Sequence, residues 1–324
     1  MKLRTSSILA IAAIALVTLF ASAVQSAQSG LAYDEVSRIV IGQAAPAPGS
    51  FATDFQAAVN AQRAVSGGGT HGGLFGSIMN AVDTAKNAMN VFKTGTALTQ
   101  YYLSGWRRSD DVGAQTATID KPQQQQLIYL DLAKHTYRLQ TGGFGYSDAR
   151  PPEERMRNPS GQPAQPGSGR LDVTASVQSL GPLTIDNVPT TGYRSVFSMR
   201  ETQSSGSCAD GSFQVSTTEY LSPYLEPRVA SGGAAVPRRS TLRPEMMALK
   251  PGCRPTIVMH ASGGRVPSGR LAMWSLVTIS GDAPSAQGPM SGGFSVLTER
   301  GNIRALSAAD KGLFEIPAGF TQTQ

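Results

Sequence analysis

The sequence predicts a mainly β protein (α+β), with an antiparallel sheet and a short helical segment near the N-terminus. Three observations predict it. From Thr96 onward apolar and polar residues alternate with a period of two, as half-buried strands require. Glycine and proline are abundant, 35 and 20 in 324 residues, which favours turns over long helices. Apolar residues at helical spacing are confined to two stretches between Ser50 and Phe92.

Residues 1–27 read as a secretory signal peptide. Lys2 and Arg4 open it, an apolar run from Ile8 to Phe20 follows, and small residues from Ala21 to Ala27 offer cleavage positions. The run is shorter than the roughly 20 residues of a comfortable span. The expectation is export to the periplasm, with no transmembrane span in the mature chain.

Residues 28–95 form an N-terminal lead and helical segment. Leu31 to Ile41 reads as a short strand. Ser50 caps a helix whose apolar positions are Phe51, Phe55, Val59 and Val65. A second helix carries Leu74, Ile78, Val82, Ala85, Met89 and Phe92 on one stripe. It reads as a cover packed on the sheet or as a movable, membrane-touching lid, and the pattern leaves both open.

Residues 96–324 form the antiparallel β domain, and the whole is one globular domain. Thr96 to Arg108 reads as one strand and Gln115 to Ile119 as another, and Gln124–Asp131 with His135–Gln140 makes a hairpin. Residues 145–170 and 226–255 are long loops rich in proline and glycine. Between them lie Leu171–Gln178, the pair Leu183–Ile185 and Tyr193–Arg200 around an Asp186-Asn187 turn, and Phe213–Leu221. Arg270 to Ser280 sets Leu271, Met273, Val277 and Ile279 against Trp274 and Leu276. A strand apolar on both faces is covered on both, with the helices as one cover. Phe294 to Leu306 is the last long strand.

The formal charge is +6, and only 15% of residues are charged. In an exported chain this mild excess gives no reason to expect nucleic acid. Cys208 and Cys253 are the two cysteines. An even count outside the cytosol favours a disulfide, with two buried thiols as the alternative. His71, His135 and His260 have no ligand spacing, so no metal and no cofactor is expected.

No catalytic set emerges. Gly145-Tyr146-Ser147-Asp148-Ala149 is a loose variant of a nucleophile elbow, but it lies inside a proline-rich loop. The Gly67–Gly73 run lacks the Lys-Ser/Thr ending of a phosphate loop. The pairs Asp110-Asp111 and Glu153-Glu154 read as solvated charges. Asp120, Asp131, Asp186 and Glu219 sit near strand ends, where carboxylates accept turn hydrogen bonds. What remains is an aromatic set: Tyr102, Trp106, Tyr129, Tyr137, Phe197, Phe213, Trp274 and Phe294. Each reads as core packing or as the lining of a groove for an acyl chain or hydrophobic peptide.

Several short segments carry a resemblance. Leu127–Asp131 leads into Lys134–Tyr137, and Gly181–Tyr193 and Glu219–Pro223 follow. Phe314-Glu315-Ile316-Pro317-Ala318-Gly319-Phe320 closes the set. Their order resembles an uncharacterised family of bacterial exported proteins whose fold is similar to the lipoprotein carriers LolA and LolB. That resemblance implies a curved, unclosed antiparallel sheet, a half-barrel wrapping over one or two helices and holding an apolar groove. It spans about Thr96 to Phe320. It implies the fold and not the carrier activity, because the groove arginine of such carriers has no assignable counterpart.

The functional expectation is a non-enzymatic periplasmic binding or carrier-like protein. It would hold a hydrophobic ligand, a lipid or acyl chain, between sheet and helix. The alternative is a structural protein with a packed core and no ligand, its partner an envelope protein. A hydrolase with an unobvious site is the third reading.

Overall fold

The computed structural model describes residues 30–41, 46–66, 93–142, 166–227, 253–281 and 293–323. The signal segment, the Leu74–Phe92 stripe and most of both long loops lie outside the described residues.

Thirteen strands join in one sheet. They are β1 (Gly30–Val40), β2 (Thr96–Leu103), β3 (Trp106–Asp111), β4 (Thr116–Lys121), β5 (Gln126–Asp131), β6 (Thr136–Thr141), β7 (Ser168–Ile185), β8 (Val188–Ser205), β9 (Gly211–Leu225), β10 (Thr256–Gly263), β11 (Arg270–Gly281), β12 (Phe294–Leu306) and β13 (Thr321–Gln322). Their order across the sheet is β10-β7-β8-β9-β11-β12-β1-β2-β3-β4-β5-β6-β13. The sheet is unclosed. Pairing is antiparallel except at the two edges, where β10 runs parallel to β7 and β13 parallel to β6. One helix, α1 (Phe51–Ser66), packs on it.

The two faces differ, and β1 names them. Even-numbered residues such as Val36 and Arg38 point to the face that carries α1, here the helix face. Odd-numbered residues such as Tyr33 and Glu35 point to the opposite face, here called open because no described helix packs on it.

Among the described residues three pieces cover the helix face. Phe51, Ala58 and Val59 of α1 pack on Val36 and Ala97. Arg38 pairs with Asp54 at 2.6 Å, and Ser50 donates to the Glu299 carboxylate at 3.0 Å. A 3-10 helix, Ala308–Phe314, starts on a Ser307 capping box with Asp310. It drops Phe314, 0% exposed, onto Leu103, Ala117, Ile119, Ile128 and Leu130. Arg108 donates to the Leu313 carbonyl at 2.7 Å, and Lys121 reaches Glu315 at 2.8 Å.

The third piece is the tip of the β7–β8 hairpin. Asp186 and Asn187 both take positive φ, 49° and 61°, the two-residue turn that matches strand twist. Pairing of β8 with β9 ends at Thr191, so residues beyond it pair only within the hairpin. The tip bends across β9 and β11. Ile185 packs with Met273, Trp274 and Leu297, and the Asp186 carboxylate accepts from the Asn302 backbone of β12 at 2.7 Å. Gly301 lies where the covers meet: a Cβ there would collide with the Phe51 ring and crowd Asp186.

The structure corrects three sequence expectations. Thr96–Arg108 is two strands, broken by a Ser104-Gly105 turn with φ of 54° and 82°. The hydroxyl of Ser104 hid a turn inside an otherwise strand-like run. Leu171–Gln178 and Leu183–Ile185 are one strand of 18 residues, β7, running through Gly181-Pro182. Among the described residues the helix-face cover over Trp274 is the hairpin tip, and α1 sits on β1, β2 and β12 instead; the second expected helix lies outside the described residues. Two strands were missed: the two-residue β13, and β10, although Thr256-Ile257-Val258-Met259 is a β-branched and apolar run.

Candidate ligand-binding face

Register places the open-face residues of β7 to β12 in rows. Ala175 pairs with Phe197, Phe197 with Val215, Val215 with Ile279, and Ile279 with Phe294. These five make one continuous apolar row across five strands. On one side of it Val173, Met199 and Phe213 form a second row, to which β10 adds Met259. On the other side lie Ser195, Thr217, Val277 and Val296. The next row is polar: Tyr193, Glu219, Ser275, Thr298 and Ser37, with Ser37 and Thr298 hydrogen-bonded at 2.9 Å.

Strand spacing of about 4.8 Å makes the apolar patch roughly 24 Å long from β10 to β12. Phe197, Met199, Phe213, Val215, Ile279 and Phe294 are all half-buried. On the helix-face side the neighbouring row is Ser176, Val196, Ser216, Thr278 and Ser295. In this part of the sheet the apolar side is therefore the open one.

Beyond the polar row the open face closes over β1. Arg300 donates to Glu35 at 2.7 Å and to the Ala272 carbonyl at 2.8 Å, and its guanidinium lies 5.5 Å from the centre of the Tyr33 ring. Tyr33 stacks on Tyr102 at 5.9 Å, and burial pushes both hydroxyls above the usual phenol range. Leu271, Tyr224 and Ile303 complete this cluster. On the helix face, the Glu299 carboxyl is pushed up to about 7 by burial and then by its hydrogen bond with Asp54, against the pull of Ser50.

The eight aromatic residues divide. Phe197, Phe213 and Phe294 come together on the open apolar patch. Tyr102 joins the Tyr33 cluster on the same face, and Tyr129 lies farther along it beneath Arg138 at 4.9 Å. Trp106 and Tyr137 are on the helix face, packed with Phe314 and its neighbours. Trp274 is 4% exposed under the hairpin tip. The sequence reading missed Val215, Ile279, Val296 and Met199 as lining; their alternation with polar residues was the available signal.

The carboxylates do structural work. Asp131 accepts from Lys134 N at 2.9 Å, closing its hairpin turn. Asp111 accepts from Gln62 and from Ala114 N, and Asp110 pairs with Arg108. His135 stacks on Phe320 at 5.4 Å, and His260 is exposed on β10. Cys208 and Cys253 form the disulfide, tying the β8–β9 turn to the start of β10. Glu201, Cys208 and Cys253 are the one cluster of metal-donor residues among those described, but the sulfurs are bonded to each other and offer no thiolate.

Among the described residues no helix is long and apolar enough to cross a membrane. No known protein family matches the sequence. No curated protein matches it either. Among solved structures, a DUF1329 family protein from Desulfovibrio piger is 7% identical and aligns over 89% of this chain and 90% of its own, with a TM-score of 0.24. Similarity at that level does not show a shared fold.

Proposed function

We propose that this is a non-enzymatic periplasmic binding protein of the LolA/LolB-like kind that holds a lipid or acyl chain on the open apolar face of β7 to β12. One observation carries the reading: Phe197 and Phe294 stand in register with Val215 and Ile279, with Phe213 in the adjoining row, on the face opposite α1. Soluble chains rarely leave such a contiguous patch without a partner. The bordering row of hydroxyls, Tyr193, Ser275 and Thr298, supplies the polar end that a bound amphiphile needs. The ligand seat is then the sheet surface opposite α1, rather than the space between sheet and helix.

Mass spectrometry of the organic extract of the purified protein is the first test, followed by titration with a fluorescent fatty acid. Phe197→Asp and Phe213→Asp are expected to weaken binding at least tenfold with the melting temperature little changed. An extract free of lipid together with no probe binding overturns the proposal and favours the structural, envelope-interaction reading.

A further inference from the structure

The two edges of the sheet are treated differently. The β6 edge is blocked where β13 lies on it: Thr321 and Gln322 pair with Thr136 and Tyr137, and Thr323 N donates to the Tyr137 carbonyl at 2.8 Å. The next residue along that edge, Arg138, is charged. Among the described residues the β10 edge has no such device. Residues 256–263 contain no proline, lysine, arginine, aspartate or glutamate. No described residue pairs with its outer side. Natural sheets blunt free edges with charge, proline, bulges or short strands, and β10 uses none of them.

Register shows which groups are free. Arg254 N donates to the Gly167 carbonyl at 3.0 Å, and β10 keeps one parallel register with β7 from the Gly167–Cys253 bridge through Gly263. Backbone groups alternate in direction along a strand. Val258 and His260 therefore point their N–H and C=O at β7, while Ile257, Met259 and Ala261 point theirs outward. The side chains of these outward residues lie on the open face, where Ile257 is 44% and Met259 68% exposed. The Cys208–Cys253 disulfide anchors the start of the strand, so the edge is held in place before anything docks.

We infer that β10 is a dimerisation edge, on which β10 of a second copy pairs antiparallel about a two-fold axis. A partner strand there must be extended, uncharged, and apolar at alternate positions on the open-face side. β10 itself meets all three conditions. Self-pairing centred on Met259 sets the two Met259 side by side and Ile257 of each copy beside Ala261 of the other, and carries the apolar rows across the axis. Because the opposite edge is capped where it meets β13, the contact closes as a dimer rather than growing into a filament. A seam of eight residues per copy is smaller than a standard interface, and Arg254 and Arg265 at its ends repel mildly, so association in the micromolar range is expected.

Sedimentation velocity of the purified protein over a micromolar concentration series should show a reversible monomer–dimer equilibrium. Hydrogen exchange should show the amides of Ile257, Met259 and Ala261 becoming protected as the dimer fills, with Val258 and His260 protected at every concentration. Met259→Pro removes an outward N–H, and proline is tolerated at that kind of edge position. Met259→Lys keeps the N–H and adds like charge. Each should weaken dimerisation at least tenfold at unchanged far-UV circular dichroism. A monomer at all concentrations, a dimer indifferent to Met259→Lys, or open-ended polymers would overturn the inference.

Discussion

The two ends of this sheet are built inside out relative to each other. In β2 to β6 the row Gln100, Ser109, Thr118, Tyr129 and Arg138 lies on the open face, and it is polar. Its apolar partners, such as Ile119 and Ile128, point to the helix face and are sealed by Phe314. In β7 to β9 the hydroxyl-rich row is on the helix face, and Phe197, Phe213 and Val215 are on the open one. Side chains alternate faces at every residue, so a phase difference of one position exchanges the two sides. The exchange takes place across β11, β12 and β1, which are covered on both faces: by the hairpin tip and α1 on one, and by the Tyr33, Leu271 and Tyr224 cluster on the other. One end of the sheet thus buries its apolar side for stability, and the other carries its apolar side on the face opposite the described helix.

Substitutions can break that contrast, and the largest effect belongs at the sealed end. Phe314→Ala is expected to lose about 3–5 kcal/mol in denaturant unfolding, the usual result of emptying a packed aromatic site. The aspartate substitutions proposed for the open patch should move stability far less than Phe314→Ala does. Equal losses at both ends would mean that the open patch is as closely packed as the other end.

At the opposite end, Cys208→Ser is expected to lower stability by roughly 2–4 kcal/mol. The loss should be accompanied by faster exchange of the β10 amides, since the bridge fixes where that strand begins. Non-reducing peptide mapping should recover the Cys208–Cys253 pair from untreated protein.

A smaller effect is expected at the junction. Glu299 ordinarily titrates near 4.5, and in the fold it is raised to about 7. The folded state therefore holds a proton that the unfolded chain releases, so stability is fullest below about 4.5 and declines as pH rises to about 7, then levels off. At about 1.4 kcal/mol for each pH unit between those two values the full decline is about 3 kcal/mol, of which solvent screening leaves on the order of 1–2 kcal/mol. Glu299→Gln, which imitates the protonated acid, should flatten it. An unchanged pH profile in that variant would remove Glu299 as the cause.

Much of this was legible in the sequence. The alternation of Tyr193, Phe197 and Met199 against Arg194 and Arg200 marked a half-covered strand, and the two-sided apolarity around Trp274 marked the central one. Ser50 marked the start of α1. Strand order was not legible, because nothing local says that β1 lies between β12 and β2. Nor was the exchange of sides: one strand's pattern says which residues share a face, and only registered neighbours say which face it is. That is why Trp274 and Phe197 stood in the same aromatic set although they end on opposite sides. β10 was missed for a related reason, since it lies between a proline-rich stretch and the Gly263-Gly264 pair and has no sequential partner.

The place of β1 has a consequence for the order of assembly. Its neighbour β12 is the last long strand, and the Asn302–Asp34 hydrogen bond joins positions 268 apart. A contact that distant closes slowly, because so much chain entropy is lost before it forms. Until residues 294–306 are in place, β1 has only β2 to pair with, and the β7–β9 group has no bridge to it. A growing chain is therefore two incomplete sheets waiting for one strand, and truncation anywhere before Phe294 should leave fragments that bind chaperones rather than a smaller folded protein.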